Sequence, residues 1–525
     1  MNKHYSILKN EWQLLLSLAI YLIIGILLIN HYQYILNSDG ISYISIAKNY
    51  LNGNFADAVN GYWGPLFSWL LIPFLFFGSA PLYILYSTKV LSLIIGFFTM
   101  IGIRLLIHQF EMERTTETII LFSLIPAVLF FSFNVITPDL LVTCILIYYL
   151  YYIFSPEYSG KLLNGFLCGL LGSLAYLSKS YALPFFLAHF ILFNLIYYFK
   201  AITKTEKRKI LKNLFLGLTV FFIISGAWIG LISAKYGEVT IGTTGSYNYA
   251  LIGPQSQGQH PMGYQGLLKP PNNNAISVWE DPSYIKINSW NPFTSWDYFK
   301  YQMNIIWSNI FNIMNIIESF SVISILIIIG SIWFIIKSQD TSASKSKIIY
   351  LLITIALYSA GYSLVLVIPR YLWLIFILII LMGGYLINLL FKNNLIKNSM
   401  KKILLILLVF SFIITPINGL INGYNAEENI YQLGNILKSS YNLDGNIASN
   451  AEWEITTYPV YYVGGKYYGQ TKENVTFNEL KKELSDNNIN YYLVWGNSKE
   501  NVYLSRCFKE ITNNKIEGLK IYKIN

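Results

Sequence analysis

The chain has 525 residues and a formal net charge of +10, with 54% hydrophobic and only 12% charged residues. A water-soluble chain carries roughly 25% charged residues, so this composition excludes a protein coated on all sides by water. The basic residues sit in short clusters between apolar runs rather than in a stripe beside stacking aromatics. That excludes a nucleic-acid partner and fits contact with membrane lipids through anionic headgroups.

Apolar runs long enough to cross a ~30 Å hydrocarbon core fall near 13–30, 82–107, 117–136, 140–155, 162–178, 182–199, 213–233, 314–336, 348–367, 371–391 and 403–419. The expected fold is therefore a membrane all-α, polytopic helical bundle of about eleven spans. The first run follows Lys3 and Lys9 like a signal peptide, but it is long and no small-x-small cleavage site follows, so it reads as an uncleaved span. The stretch 64–78 is short, opens with Gly64-Pro65, and reads as an interfacial helix.

Lysine and arginine set the orientation. With the N-terminus cytoplasmic, the inside segments carry eighteen of them, against three (Lys48, Lys179 and Arg370) in the short outside segments. Loops 31–62 and 234–303 and the tail 420–525 then lie outside. The tail alternates helix-like stretches (427–440, 476–486) with extended ones (445–450, 490–495, 518–524), which predicts a small extracytoplasmic α/β domain at 420–525 behind a transmembrane module at 1–419. The cysteines Cys144, Cys168 and Cys507 show no CxxC spacing, so neither a zinc site nor a disulfide framework is indicated.

The first outside loop reads Asn37-Ser38-Asp39-Gly40-Ile41-Ser42-Tyr43. Asp39 and Tyr43 are four apart and share a helix face with Ala47 and Tyr50. A plain N-cap by Ser38 or Asp39 on an interfacial helix explains the same residues. Asp139 follows Thr137-Pro138, where Thr137 as cap and Pro138 as first helical residue are ordinary helix-start chemistry. Yet Asp139 is the only charge between Glu117 and Glu157, and an acid at a membrane faces a cavity or a partner. Lys179 at the end of a span complements the helix dipole and can snorkel; Lys89, two turns inside another span, reads as snorkelling as well. Arg370 differs: it opens a span, where the dipole disfavours a cation, so an anion must compensate, and phosphate suits its planar fork.

Loop 234–303 contains Trp279-Glu280-Asp281-Pro282 and His260. Glu280 and Asp281, with Trp63 of the first loop, are candidate acceptor contacts, although acid-Pro pairs also start turns and a lone histidine is usually structural. No GxxxxGK[ST], HExxH, GxSxG or strand-to-helix GxGxxG occurs, which argues against an ATPase, a zinc protease or a Rossmann enzyme.

Asp39 with Tyr43, Pro138-Asp139, the run Gly172 to Lys179, and Arg370-Tyr371 before a late span resemble the GT-C glycosyltransferases that use polyprenyl-phosphate sugars. The nearest groups are glycosyltransferase family 39, the protein O-mannosyltransferases and the aminoarabinose transferases. Two departures stand out: Gly40 replaces a second acid, and Tyr62-Trp63-Gly64-Pro65 replaces a Lys-Pro-Pro. The resemblance implies inverting transfer of a sugar from a polyprenyl-phosphate donor to a hydroxyl of a glycan, lipid or protein on the extracytoplasmic face of the plasma or inner membrane. Asp39 is the expected catalytic base. Tyr43, Asp139, Lys179 and Arg370 are the expected substrate and phosphate ligands, and Asp39 with Asp139 are candidate ligands for a divalent Mg, Mn or Zn ion. A transporter or flippase of lipid-linked sugars is the alternative; such proteins often carry repeated halves, and none is found here.

Overall fold

The structure is a computed structural model that describes residues 11–338, 342–496 and 500–525; Lys3 and Lys9 lie outside the described residues. Long runs of Ile, Leu and Phe form helices because only intrahelical hydrogen bonds satisfy a backbone placed in lipid. In order these are α1 (Trp12–Tyr32), α2 (Ser38–Leu51), α3 (Pro65–Leu75), α4 (Pro81–His108), α5 (Arg114–Asn134), α6 (Asp139–Ile153), α7 (Leu162–Ser178), α8 (Ala182–Lys200) and α9 (Lys204–Tyr236). After a long loop come α10 (Trp296–Phe320), α11 (Ser324–Lys337), α12 (Ser342–Ser363), α13 (Trp373–Lys392) and α14 (Asn398–Gly423).

Among the described residues eight helices are long and apolar enough to cross a membrane, or nine if the bent pair α10–α11 is one span. The chain is an integral membrane protein, but length and composition support fewer spans than the eleven or so expected. The runs at α6 and α7 give helices of only 15 and 17 residues. The run 314–336 is not one straight helix, because α10 and α11 meet at 107°.

The expected snorkelling of Lys89 does not occur. Its side chain is fully buried among α4 and its neighbours, and its Nζ donates to the Phe133 carbonyl at 2.9 Å, one of the last carbonyls of α5. Capping that helix end satisfies a carbonyl that the helix itself leaves open. Arg104 is also drawn inward. Its guanidinium donates to Glu11 at 2.8 and 2.9 Å and to Glu117 at 2.7 Å, tying α4 to α5 and to the start of α1.

The tail folds as α15 (Glu428–Tyr441), β1 (Asn446–Ser449), α16 (Trp453–Val463), β2 (Lys466–Gln470), α17 (Phe477–Asp486), β3 (Tyr491–Trp495), α18 (Glu500–Cys507), β4 (Lys509–Glu510) and β5 (Leu519–Lys523). The sheet order is β2-β1-β3-β5-β4; β1 runs parallel to β2 and β3, while β5 is antiparallel to β3 and β4. The loop between α9 and α10 is stitched to this sheet. Leu268 N–H donates to the Tyr468 carbonyl at 2.7 Å, and Tyr467 N–H donates to the Ile276 carbonyl at 2.6 Å. The sheet, this loop and the segment after α1 thus meet at one end of the bundle.

Candidate active site

The site starts at α2. Neither Ser38 nor Asp39 caps this helix; Asn37 occupies the N-cap without a side-chain capping bond. Asn37 Oδ1 instead accepts from Ile136 N–H at 2.9 Å, which ties the start of α2 to the segment preceding Asp139. Asp39, in the first turn, is left to reach across. Its Oδ1 accepts from Trp279 Nε1 at 3.0 Å and its Oδ2 from Arg370 Nη2 at 2.5 Å.

Asp139 opens α6, with Pro138 rather than Thr137 at the N-cap. The Thr137 hydroxyl does not cap the helix; it donates to Asp139 Oδ2 at 2.8 Å. Lys179 Nζ donates to Asp139 Oδ1 at 2.5 Å. Lys179 stands just past α7 in extended backbone, and its ammonium lies 3.6 Å from the centroid of the Tyr371 ring, a cation–π contact. The turn beside it depends on Gly64: a Cβ there would fall 2.5 Å from the Ser178 carbonyl oxygen and 2.6 Å from that of Leu177. Only glycine lets the start of α3 approach the end of α7 this closely.

Arg370 lies in a short turn (Pro369–Leu372) ahead of α13. The anion its position demands is supplied twice, by Asp39 and by Asp139, whose Oδ2 is 3.5 Å from Arg370 Nε. That Nε is buried and makes no hydrogen bond. Two carboxylates and two cations therefore meet with formal charges that cancel. Their side chains are only 5 to 21% exposed. Charges so withdrawn from water persist only when paired.

They border a cavity of about 210 Å³, walled by Tyr43, Tyr62, Trp63, His260, Trp279 and Tyr371. Burial, with Asp39 beside it, pushes the Tyr43 phenol well above its usual range, so it remains an O–H donor. Trp63 and Trp279 meet edge to face at 5.7 Å, and Trp63 Nε1 donates to the Trp279 carbonyl at 3.0 Å. Burial pushes His260 down to about 4, so the imidazole is neutral; it stacks on Trp453 of α16 at 4.1 Å. A larger cavity of about 540 Å³ lies among Lys200, Glu206, Lys347 and their neighbours, and holds none of these residues. Size does not decide between the two; the converging charges do.

The structure thus brings Asp39, Tyr43, Trp63, Asp139, Lys179 and Arg370 onto one cavity. Glu280 and Asp281 do not line it. The Glu280 carboxylate accepts from Ser45 Oγ and from Ile276 N–H, the latter at 2.6 Å, and its carbonyl accepts from Asn60 Nδ2 at 2.7 Å. Asp281 Oδ2 accepts from Tyr236 at 2.8 Å, with Lys235 Nζ at 3.3 Å. Both acids pin the loop to α2 and α9. Trp279, Tyr371 and His260 also belong to the site; sequence reasoning named each of them but placed none among the candidate site residues. Trp279 is 240 positions from Asp39, and no local pattern announces that contact.

The residues present do not fit a divalent cation between Asp39 and Asp139. Arg370 and Lys179 already occupy the carboxylate oxygens a metal would take, and among the described residues no group of three or more His, Cys, Asp or Glu side chains converges.

No family model and no curated protein matches the sequence. Solved structures do match. ArnT from Cupriavidus metallidurans, bound to undecaprenyl phosphate, aligns over 97% of this chain and 98% of its own, at 10% identity and a TM-score of 0.56. The archaeal oligosaccharyltransferase AglB from Archaeoglobus fulgidus, in complex with an inhibitory peptide and a dolichol-phosphate, aligns over 93% of this chain and 70% of its own, at 10% identity and a TM-score of 0.50. This chain therefore shares its fold with these two proteins.

Proposed function

We propose that the protein is a membrane glycosyltransferase that moves one sugar from a polyprenyl-phosphate donor to an acceptor hydroxyl. The observation that carries this reading is the aromatic-walled cavity at which Asp39, Asp139, Lys179 and Arg370 converge. The fold it shares with a protein bound to undecaprenyl phosphate and with an oligosaccharyltransferase bound to dolichol-phosphate supports it. The asymmetry of basic residues favours the extracytoplasmic face for the site and for the tail domain.

The chemistry follows from charge. As the acceptor oxygen bonds to the anomeric carbon, its proton passes to Asp39. The bond from that carbon to the phosphate oxygen breaks, and its electron pair leaves with the lipid phosphate. A singly charged phosphodiester thereby becomes a doubly charged monoester. Arg370 and Lys179 stabilise the added charge, and the Nε–H of Arg370, 3.5 Å from Asp139 Oδ2 but without a hydrogen bond, is a donor open to a phosphate oxygen. Asp139 keeps both cations at the cavity in the meantime. Attack opposite the leaving phosphate inverts the anomeric centre. Before donor binds, Arg370 holds Asp39 Oδ2; a donor phosphate that draws Arg370 away frees the base, so donor binds first.

The lipid tail lies between spans, and loop 234–303 covers the pocket. A cavity of about 210 Å³ lies below the ~300–1,000 Å³ of drug-sized sites and suits a single sugar ring. The test is release of free polyprenyl phosphate by purified protein given polyprenyl-phosphate monosaccharides and a mixture of glycan, lipid and peptide acceptors. Lipid-linked sugar crossing reconstituted vesicles with no release from any donor would instead make the protein a transporter.

A further inference from the structure

Between α12 and the turn that carries Arg370, residues 364–368 run without regular structure. Leu366 and Ile368 of this segment line the cavity. Irregular backbone beside a membrane needs partners for its carbonyls, since lipid offers none. Here the partners come from one helix, α10. Asn309 Nδ2 donates to the Ser363 and Val365 carbonyls, both at 3.1 Å. Asn312 Nδ2 donates to the Val367 carbonyl at 3.3 Å, and Gln302 Nε2 to the Leu364 carbonyl at 3.0 Å. Spacings of seven and three residues place the three amides on a single helix face. Gln302 is fixed in turn, because its Oε1 accepts from Tyr249 of the long loop at 2.7 Å.

The other side of α10 exposes Met303, Trp307, Ile310, Phe311 and Met314. An apolar face with a tryptophan, on a helix bent 107° from its neighbour, is suited to the membrane interface. One helix thus turns an apolar face outward and, by its amides, grips the carbonyls of Ser363, Leu364, Val365 and Val367 ahead of Arg370. Arg370 itself pairs with Asp39 and Asp139, and the segment before it has no regular structure. Its reach is set by where 363–367 are held.

We infer that Gln302, Asn309 and Asn312 are positioning residues that hold Arg370 at the depth where it meets a phosphate. The kinetic consequence rests on the glycosyltransferase reading; the structural hold does not. The experiment uses full-length protein in detergent with Asn309→Leu, close in shape but without N–H groups, alone and combined with Arg370→Lys. Hydrogen exchange across 363–371 is measured alongside kcat/KM for a polyprenyl-phosphate sugar. Exchange in that segment is expected to rise while the rest of the chain stays protected. Kcat/KM is expected to fall about tenfold, the effect of losing a buried hydrogen bond or two. In the Arg370→Lys background the same change is expected to cost less than about threefold, because there is no longer a fork to place. Unchanged exchange overturns the inference, as do equal fold losses in the two backgrounds, which would mark a role in folding alone. If wild type turns over no donor, the proposed activity fails by itself and the exchange result still decides the hold.

Discussion

Glu280 gives the loop beside the site a dependence on pH. Its carboxyl is buried and pushed up to about 7, first by burial and against the opposing effect of its hydrogen bonds from Ser45 and Ile276 and of nearby Lys48. Below pH 4.5 both the folded and the unfolded chain hold this proton. As pH climbs from 4.5 to 7 the unfolded chain ionises while the folded one does not, so stability falls over that window and levels off above it. A carboxyl that titrates near 7 instead of 4.5 withdraws about 3 kcal/mol across the window, at ~1.4 kcal/mol for each pH unit. Glu280→Gln mimics the protonated form. Its amide oxygen still accepts from Ile276 N–H, and its amide N–H can donate to the Ser45 hydroxyl, which rotates to accept. Thermal unfolding in one detergent, between pH 5 and pH 8, compares the two proteins. The variant is expected to match wild type at pH 5, exceed it at pH 8 and show a shallower fall between them, the remaining fall coming from Glu427, which burial also pushes up to about 7. A variant less stable than wild type at pH 8, with a parallel pH curve, would refute the reasoning.

Three further outcomes follow from the same geometry. Trp279→Phe keeps the ring packing but removes the N–H on Asp39 Oδ1; since a hydrogen bond to a charged group contributes ~1.5–3 kcal/mol, kcat is expected to fall by at least tenfold with little change in donor KM, and unchanged kcat would deny Trp279 an orienting role. Gly64→Ala forces a methyl against the Ser178 carbonyl, which is expected to lower stability by about 1–3 kcal/mol in a denaturation series, whereas a wild-type midpoint would mean that the α3–α7 approach is slack. Because Lys179 and Arg370 occupy the carboxylates, overnight EDTA treatment is expected to leave turnover intact, and a loss restored by Mg, Mn or Zn would restore the metal site to the mechanism.

Much of this arrangement is written in single positions of the sequence. Asp39, Asp139, Lys179 and Arg370 are rare charges at the edges of apolar runs, and lipid makes such charges costly unless they meet. Spans are legible for the same reason, since apolar length is a local property. Direction is not local: the run 314–336 crosses the bend between α10 and α11, and its apolar length does not give the 107° angle. Lys89 shows the limit of reading one helix alone, because the carbonyl that receives it belongs to α5. In the tail, α16 and β2 escaped because Trp453–Val463 is rich in Thr, Tyr and Val and holds Pro459, a composition that favours strand or turn until packing overrides it. Trp279 was hidden by distance along the chain, and Glu280 and Asp281 drew attention by charge while their side chains bind the loop.

The most direct test compares wild type with Asp39→Asn for release of polyprenyl phosphate from a matched donor, with both proteins shown to melt alike. The asparagine keeps the size of the side chain and can still accept from Trp279, but it cannot take the acceptor proton. Wild-type release with a loss of at least a thousandfold in the variant is the expected result. Equal release by both proteins would remove Asp39 from the role of base and with it the central step of the proposed mechanism.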